Sequence, residues 1–380
     1  MATTAMPALL ATLGASSAVL GLIEGLADGL SSFAKLFSGL YSDRLRRRKP
    51  LAVAGYVVTA SAMASFALAT TWWHVLLGRV AGWIGRGARG PVRNTLLAEA
   101  TTPDTYGRAF GLERAMDSAG AVVGPALAYL LLSGVDLPWV FGLTLIPGVA
   151  AALTIALLVR ERPHTPQPHA TLWSGVRALP QEFRRFLVGV GIAGLGDFSN
   201  TLLILWATQA FTGRVEPKQA ARLAMLFYVG YNIVYTVTCY LSGTLADRFP
   251  KNRVLAAGYA LAVIPACALL LPGDPFLRFG IAFGFSGLYM GVWETVESST
   301  AATLLPAQVR GTGFGVLATV MGLGDFLSSA TVGVLWTVAP PLAMLFVITT
   351  SMTGAALIAS QRPVVQPRAA ESLSAPSEEI

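Results

Sequence analysis

Gly39-Leu40-Tyr41-Ser42-Asp43-Arg44-Leu45-Arg46-Arg47-Arg48-Lys49 ends one long apolar stretch and precedes another. A second copy runs Gly243-Thr244-Leu245-Ala246-Asp247-Arg248-Phe249-Pro250-Lys251-Asn252-Arg253. Both read Gly, three residues, Asp-Arg, then a basic cluster. Each is followed by Ala-Gly-Tyr, at 54–56 and at 257–259. The offset is 204 residues at the motif and 203 after it, so the second copy is one residue shorter. A chain that repeats a loop in this register reads as two like halves.

Of the 380 residues, 54% are hydrophobic and 12% charged. A soluble domain carries about 25% charged residues. Halving that share while keeping long apolar runs marks a polytopic all-α membrane protein, with the lipid bilayer as its surroundings. The net charge of +7 is no nucleic-acid signal, because most Lys and Arg lie between the apolar runs. Cys239 and Cys267 fall inside apolar stretches without metal-ligand spacing. No phosphate-binding glycine loop, Ser/His/Asp pattern or metal cluster suggests an enzyme, and no cofactor is implied.

A crossing helix needs about 20 apolar residues. Spans are expected at 15–41, 51–71, 73–99, 107–133, 138–159, 185–211, 221–246, 254–272, 276–303, 310–336 and 340–361, eleven in all. The repeat accounts for the odd count. Gly107-Arg108-Ala109-Phe110-Gly111 matches Gly311-Thr312-Gly313-Phe314-Gly315 at the same offset. Subtracting that offset from 185–211 puts its partner before residue 1. Residues 1–13 then read as the stub of a first helix, most of it absent, and the spans are numbered 2 to 12. The alternatives are a native eleven-helix chain, or an Ala/Leu-rich N-terminus serving as a short helix. The expected organisation is an N-terminal bundle at 1–159, a linker at 160–184, a C-terminal bundle at 185–361 and a disordered tail at 362–380.

Lys and Arg set the orientation. Arg44, Arg46, Arg47, Arg48, Lys49, Arg108, Arg160, Arg162, Arg248, Lys251, Arg253 and Arg310 fall on one side, against Arg214, Lys218, Arg222 and Arg278 on the other. The first side, with the linker and tail, is expected in the cytoplasm of a cell whose plasma or inner membrane holds the protein. The linker is Pro-rich (Pro163, Pro166, Pro168). It then turns amphipathic, with Leu172, Trp173, Val176 and Leu179 placed for the membrane surface.

An ionisable side chain in lipid is costly and should face protein or water. Spans 3, 6, 9 and 12 contain no Asp, Glu, Lys or Arg. Charges fall on span 2 (Glu24, Asp28, Lys35), span 4 (Arg79, Arg86, Arg89, Arg93), span 5 (Glu113, Arg114, Asp117), span 7 (Asp197), span 10 (Glu294, Glu297) and span 11 (Asp325). Two six-helix bundles with every third helix turned to lipid, and the rest to a shared cavity, give this pattern.

The two Gly-x3-Asp-Arg loops resemble the cytoplasmic loop signature of the major facilitator superfamily, and the clean spans fall where that fold puts its lipid-facing helices. Arg79 stands in the place of the family's membrane-embedded arginine. Gly111, Gly120 and Gly124-Pro125 are similar to the antiporter motif of the superfamily's exporters, with Ala128-Tyr129 where a glycine pair would close it. Arg46 and Pro250 replace usual loop glycines. The resemblance implies a two-bundle fold with a pseudo-twofold repeat. It also implies a conformational latch built on Gly39, Asp43, Arg44, Gly243, Asp247 and Arg248, in which each acid pairs with an arginine and a neighbouring helix N-terminus. Simple positive-inside anchoring is the plainer role. Gly111, Gly120, Gly124 and Pro125 would form a proton-tight, bendable gate, or merely small-residue packing.

Glu24 and Asp28 share a face of span 2, and Glu294 and Glu297 a face of span 10. With Arg79, Asp197, Asn200 and Asp325 they are the candidate substrate and proton pathway, with charge pairs between helices as the alternative. For Arg86, Arg89, Arg93, Glu113, Arg114 and Asp117 a buried network joining spans 4 and 5 is expected. The expected function is secondary transport by alternating access about a midplane site. Export of a small cationic or zwitterionic molecule in exchange for protons comes first. Proton-coupled import of a metabolite, a non-transporting receptor or scaffold, and an inactive truncated transporter are the alternatives. A monomer is the default.

Overall fold

The computed structural model describes residues 2–161, 166 and 172–362. Pro163, Pro168, Arg162 and the tail from 363 lie outside the described residues, as do the side chains of Leu172 and Trp173. The described chain is helical, without a strand among the described residues.

Helix α1 spans Ala2–Thr12. Gly14 follows with φ +70°, a backbone conformation that favours glycine. Ser16 then caps α2, Ser17–Arg44, by accepting a hydrogen bond from the Val19 N–H. Next come α3 (Lys49–Ala64), α4 (Trp72–Ala100) and α5 (Tyr106–Leu131). The span expected at 138–159 is two helices, α6 (Leu137–Leu143) and α7 (Leu145–Leu158). Pro147 explains the break: it has no N–H to give and crowds the carbonyl four residues back, at Leu143. After α8 (Leu172–Arg177), the span at 185–211 divides into α9 (Gln181–Gly194) and α10 (Asn200–Thr212). Ser199 caps α10 by accepting from Thr201 N–H at 3.2 Å.

Helix α11 is Pro217–Arg248. The span at 254–272 divides into α12 (Lys251–Leu261) and α13 (Val263–Leu270), with Pro265 four residues past the last residue of α12. The chain closes with α14 (Pro275–Leu304), α15 (Arg310–Val338) and α16 (Pro340–Ala359). Proline opens α11, α14 and α16, where its missing N–H costs nothing.

Seven helical stretches among the described residues are long and apolar enough to cross a membrane: Lys49–Leu68, Leu137–Leu158, Pro217–Arg248, Lys251–Leu270, Pro275–Leu304, Ala307–Val338 and Pro340–Ala359. The four spans free of charge in the sequence are all among them. Helices α2, α4 and α5, with 28, 29 and 26 residues, also exceed the length of about 20 residues needed to cross, but carry the charged residues. The sides of α7 away from α3 present Ile146, Leu153, Leu157 and Leu158 outward, as a lipid-facing helix should.

Packing follows the repeat. Helix α3 lies on α4 and α7, and α12 lies on α14 and α16. Two further pairs, α2 with α15 and α5 with α11, join early helices to late ones. Glycine makes these crossings close. A Cβ built on Gly39 would collide with the Gly311 carbonyl, and one on Gly243 with the Gly107 carbonyl. Phe110 and Phe314, 204 apart in sequence, meet at 5.8 Å between ring centres. They belong to a core at the end of the molecule that carries the two motifs, with Phe183, Phe186, Tyr259, Trp293 and Ile358.

One expectation fails here. Leu179 is buried in that same core and Val176 packs against it, so this part of the connection lies against protein rather than on a membrane surface. Gly175 fits under the side chain of Leu40.

Candidate functional site

Two carboxylates close the motif end, each reaching from one half of the sequence to a helix start in the other. Asp43, at the end of α2, accepts from the backbone N–H of Gly311 (3.0 Å) and Thr312 (2.7 Å), and from the Thr312 hydroxyl (2.8 Å). Asp247, at the end of α11, accepts from the N–H of Gly107 (2.7 Å) and Arg108 (2.9 Å). The 204-residue offset carries one set onto the other. Free N–H groups and the helix dipole at the starts of α15 and α5 make each a natural seat for an anion. Between the two seats, Arg310 Nη2 donates to Tyr106 Oη at 3.4 Å.

The cation beside each acid is not the arginine next to it in sequence. Arg44 and Arg248 are exposed. Arg48 is fully buried instead. It donates to Asp43 at 2.9 Å, to Glu99, and to the Ala307 carbonyl at 3.3 Å. In the second copy Lys251, also fully buried, lies 3.5 Å from Asp247 and donates to the Ala246 carbonyl at 3.0 Å. Arg48 and Lys251 were visible only as members of the basic clusters. Their distance from the acid, five residues and four, is the signal that separates them.

Further from the motif end, a cavity of about 340 Å³ opens between the helices. Lys35 of α2, Arg86, Arg89 and Arg93 of α4, and Arg114 of α5 supply its cations. Asp117 of α5, Glu294 of α14 and Asp325 of α15 supply its carboxylates. Both halves of the sequence contribute. Arg93 lies 2.5 Å from Glu113, and Arg114 lies 3.5 Å from Glu113 and 3.6 Å from Glu294. Tyr235 donates to Glu294 at 2.5 Å. The network expected to join α4 to α5 therefore runs through Arg93, Glu113 and Arg114, and reaches α14 as well. Arg86 and Arg89 stay out of it. The Arg89 guanidinium carbon lies 3.9 Å over the centre of the Tyr56 ring, and that of Arg86 stands 5.5 Å from the Trp83 ring.

The other candidates do not line this cavity. Arg79, 2% exposed, pairs with Glu24 at 2.7 Å and lies 3.4 Å over Trp83, whose Nε1 donates to Asp28 at 2.6 Å. These four tie α2 to α4. Asp197 sits in the break between α9 and α10, on a separate pocket of about 30 Å³ shared with Asn200 and Tyr231. Asn200 donates to Tyr231 at 3.0 Å. Glu297 is sealed within the second half, where Tyr259 and Trp293 donate to it. Glu294 and Glu297 share one side of a helix by spacing, yet only Glu294 reaches the cavity.

On α5, Gly111 is a close approach: a Cβ there would lie 2.5 Å from the Cys239 carbonyl oxygen. Gly120 has open space around it. Gly124 and Pro125 are half-buried, and the helix continues through Pro125 to Leu131. Among the described residues, the hydrogen bonds and ion pairs that join the two halves lie between the motif loops and the level of Ser32 and Ser118. Thr319 donates to the Ser32 carbonyl at 3.4 Å, and Thr236 to Ser118 at 2.8 Å.

Comparison with known proteins places this geometry. The family model for the Major Facilitator Superfamily matches residues 1–329. An uncharacterized MFS-type transporter of Methanocaldococcus jannaschii is 28% identical over 346 residues, covering 90% of this chain and 85% of that one. The multidrug resistance protein MdtH of Photorhabdus laumondii is 25% identical over 321 residues, 83% of this chain and 77% of that one. Among solved structures, the fucose:proton symporter FucP of E. coli, in the outward conformation, matches with a TM-score of 0.74 at 16% identity over 95% of each chain. The chain belongs to the Major Facilitator Superfamily and is a multi-pass membrane transporter.

Proposed function

We propose that the protein moves a small molecule by alternating access, coupled to protons, and that its motif end faces the cytoplasm. The observation that carries this is a cavity of ionisable groups between the two halves, closed at one end by Asp43 and Asp247. The moving bodies would be 1–159 and 185–361, joined by 160–184. With the motif end closed, cargo enters from outside. Loss of the two carboxylate contacts then opens the cytoplasmic side. Gly39, Gly107, Gly243 and Gly311 let the helix ends meet closely enough for backbone N–H groups to reach the acids.

Asp117, Glu294 and Asp325 are the carboxylates placed to exchange protons with the cavity. The direction of transport follows from how cargo and proton affect one another. Cargo that competes with the proton for an acid is exchanged for it and exported, the direction that the name of the MdtH relative supports. Cargo that binds better with the proton present is carried along with it. The test is proton movement in proteoliposomes under an imposed pH gradient, with sets of cationic, zwitterionic and anionic compounds added in turn. Compound-dependent proton flux, abolished in Asp325→Asn, is the expected result. Proton movement unaffected by any compound would contradict the proposal and leave a receptor or scaffold role.

A further inference from the structure

From the charge lining the cavity we infer that the cargo is an organic anion, held by Arg86, Arg89 and Lys35. The inference rests on the transport function proposed above and names its substrate class. It reverses the cationic or zwitterionic cargo expected from the sequence. That expectation counted every acid in the spans. The structure sorts those acids by place, and most of them are elsewhere. Glu24 is taken by Arg79, Asp28 accepts from Trp83, Glu297 is sealed between Tyr259 and Trp293, and Asp197 has its own pocket.

Five cations and three carboxylates remain on the wall. Adding Glu113, which pairs with Arg93 and Arg114, still leaves the cations in excess. Among the described residues, no carboxylate lies within 4.0 Å of Lys35, Arg86 or Arg89, the distance that defines the ion pairs found elsewhere in the molecule. An excess of cations focused in a cleft repels a cation and draws a counter-anion.

The geometry suits an oxyanion. The Arg89 guanidinium carbon lies over the Tyr56 ring, 3.9 Å from its centre, and a guanidinium seated on an aromatic ring keeps N–H groups for a carboxylate or phosphate. Lys35 adds a point charge from α2. A proton on Asp117, Glu294 or Asp325 would leave Lys35, Arg86, Arg89, Arg93 and Arg114 less compensated and so favour the anion. Proton and anion then load together, which makes cotransport the coupling mode for this class.

Binding to the purified full chain tests it, read as a thermal-stability shift. The anion probes are benzoate, citrate and glycerol 3-phosphate. Tetraphenylphosphonium and ethidium represent cations, and betaine represents zwitterions. At least one anion should bind. Arg86→Gln and Arg89→Gln should each weaken it about tenfold, the loss typical of a charge-assisted contact. The exposed Arg222→Gln should leave it unchanged. If either Gln variant fails to fold, Arg86→Lys and Lys35→Gln replace it, with Arg86→Lys retaining more affinity than Lys35→Gln.

Binding confined to cations or betaine, or no binding by any of the three anions, overturns the inference. Anion binding without proton-linked flux in proteoliposomes would leave the class standing and remove transport. Proton flux driven by tetraphenylphosphonium or ethidium would do the opposite.

Discussion

The two acids at the motif end come from one repeated sequence, yet their surroundings differ. Asp43 is fully buried, receives three hydrogen bonds from Gly311 and Thr312, and is paired with a fully buried arginine. Asp247 receives two backbone bonds from Gly107 and Arg108. Its further donors are Arg108 Nε at 3.3 Å, on a side chain 52% exposed, and Lys251 at 3.5 Å. Thr312 and Arg108 occupy equivalent positions 204 residues apart. A short hydroxyl closes over the first acid, whereas a long, exposed guanidinium lies beside the second, whose side chain keeps 6% exposure. Arg48 also bridges Glu99 and Ala307, and its N–H reaches Glu161. Among the described residues, Lys251 has only the Ala246 carbonyl and Asp247 as partners. The same motif thus gives one fully buried, multiply bonded contact and one with fewer bonds and an exposed arginine beside it. Closure should depend mainly on the first.

Substitution can break this comparison, beginning with its strongest side. Asp43→Asn removes the charge that faces Gly311 and Thr312 and leaves the buried Arg48 with Glu99 as its remaining carboxylate. The three bonds that Asp43 accepts from the other half lose their charge-assisted strength, together about 3 kcal/mol, a shift of roughly a hundredfold from closed to open. An impermeant maleimide applied from the cytoplasmic face should then label Ala318→Cys, in a background lacking Cys239 and Cys267, far faster than it does with Asp43 intact.

Arg48→Lys keeps the charge but lacks the fork that serves Asp43, Glu99 and Ala307 together. It should cost about 2 kcal/mol, visible as intermediate labelling of the same cysteine. Asp247→Asn should shift the balance by about 1 kcal/mol, roughly fivefold. Equal effects from Asp43→Asn and Asp247→Asn would erase the proposed difference.

Glycines supply the smallest effect and its control. Gly111→Ala puts a methyl group against the Cys239 carbonyl and should loosen the α5–α11 crossing. Gly120→Ala meets open space and should change transport by no more than a few tenths of a kcal/mol, as for an ordinary site without contacts.

The fold was largely legible because its signals are local or periodic. Long apolar runs, a loop repeated in register and charge-free third helices need no knowledge of which way a helix faces. Helix breaks at Thr144 and Ala262 were legible in principle from Pro147 and Pro265, but an apolar run alone hides them. The site was less legible. Glu294 and Glu297 share a face by spacing, yet one reaches the cavity and the other is sealed against Tyr259. The rotation of α14 within its bundle decides between them, and sequence does not carry that rotation. The cation excess of the cavity was hidden for the same reason: acids counted along the chain include those already held by Arg79, Trp83 and Tyr259. The buried cation of the latch was placed one residue after Asp43, where the sequence pattern draws the eye. Arg44 continues the helix outward, while Arg48 sits past the turn and folds back beneath the acid.

Pairs of spin labels measure closure most directly. One pair, at Arg46 and Arg253, spans the motif end. The other, at Thr71 and Lys218, spans the opposite end. If the two carboxylates hold the motif end shut, the protein with both acids gives a short Arg46–Arg253 distance. Asp43→Asn should lengthen it while the Thr71–Lys218 distance shortens. Unchanged distances at both ends in Asp43→Asn, or movement at one end without the other, would contradict a latch that governs alternating access.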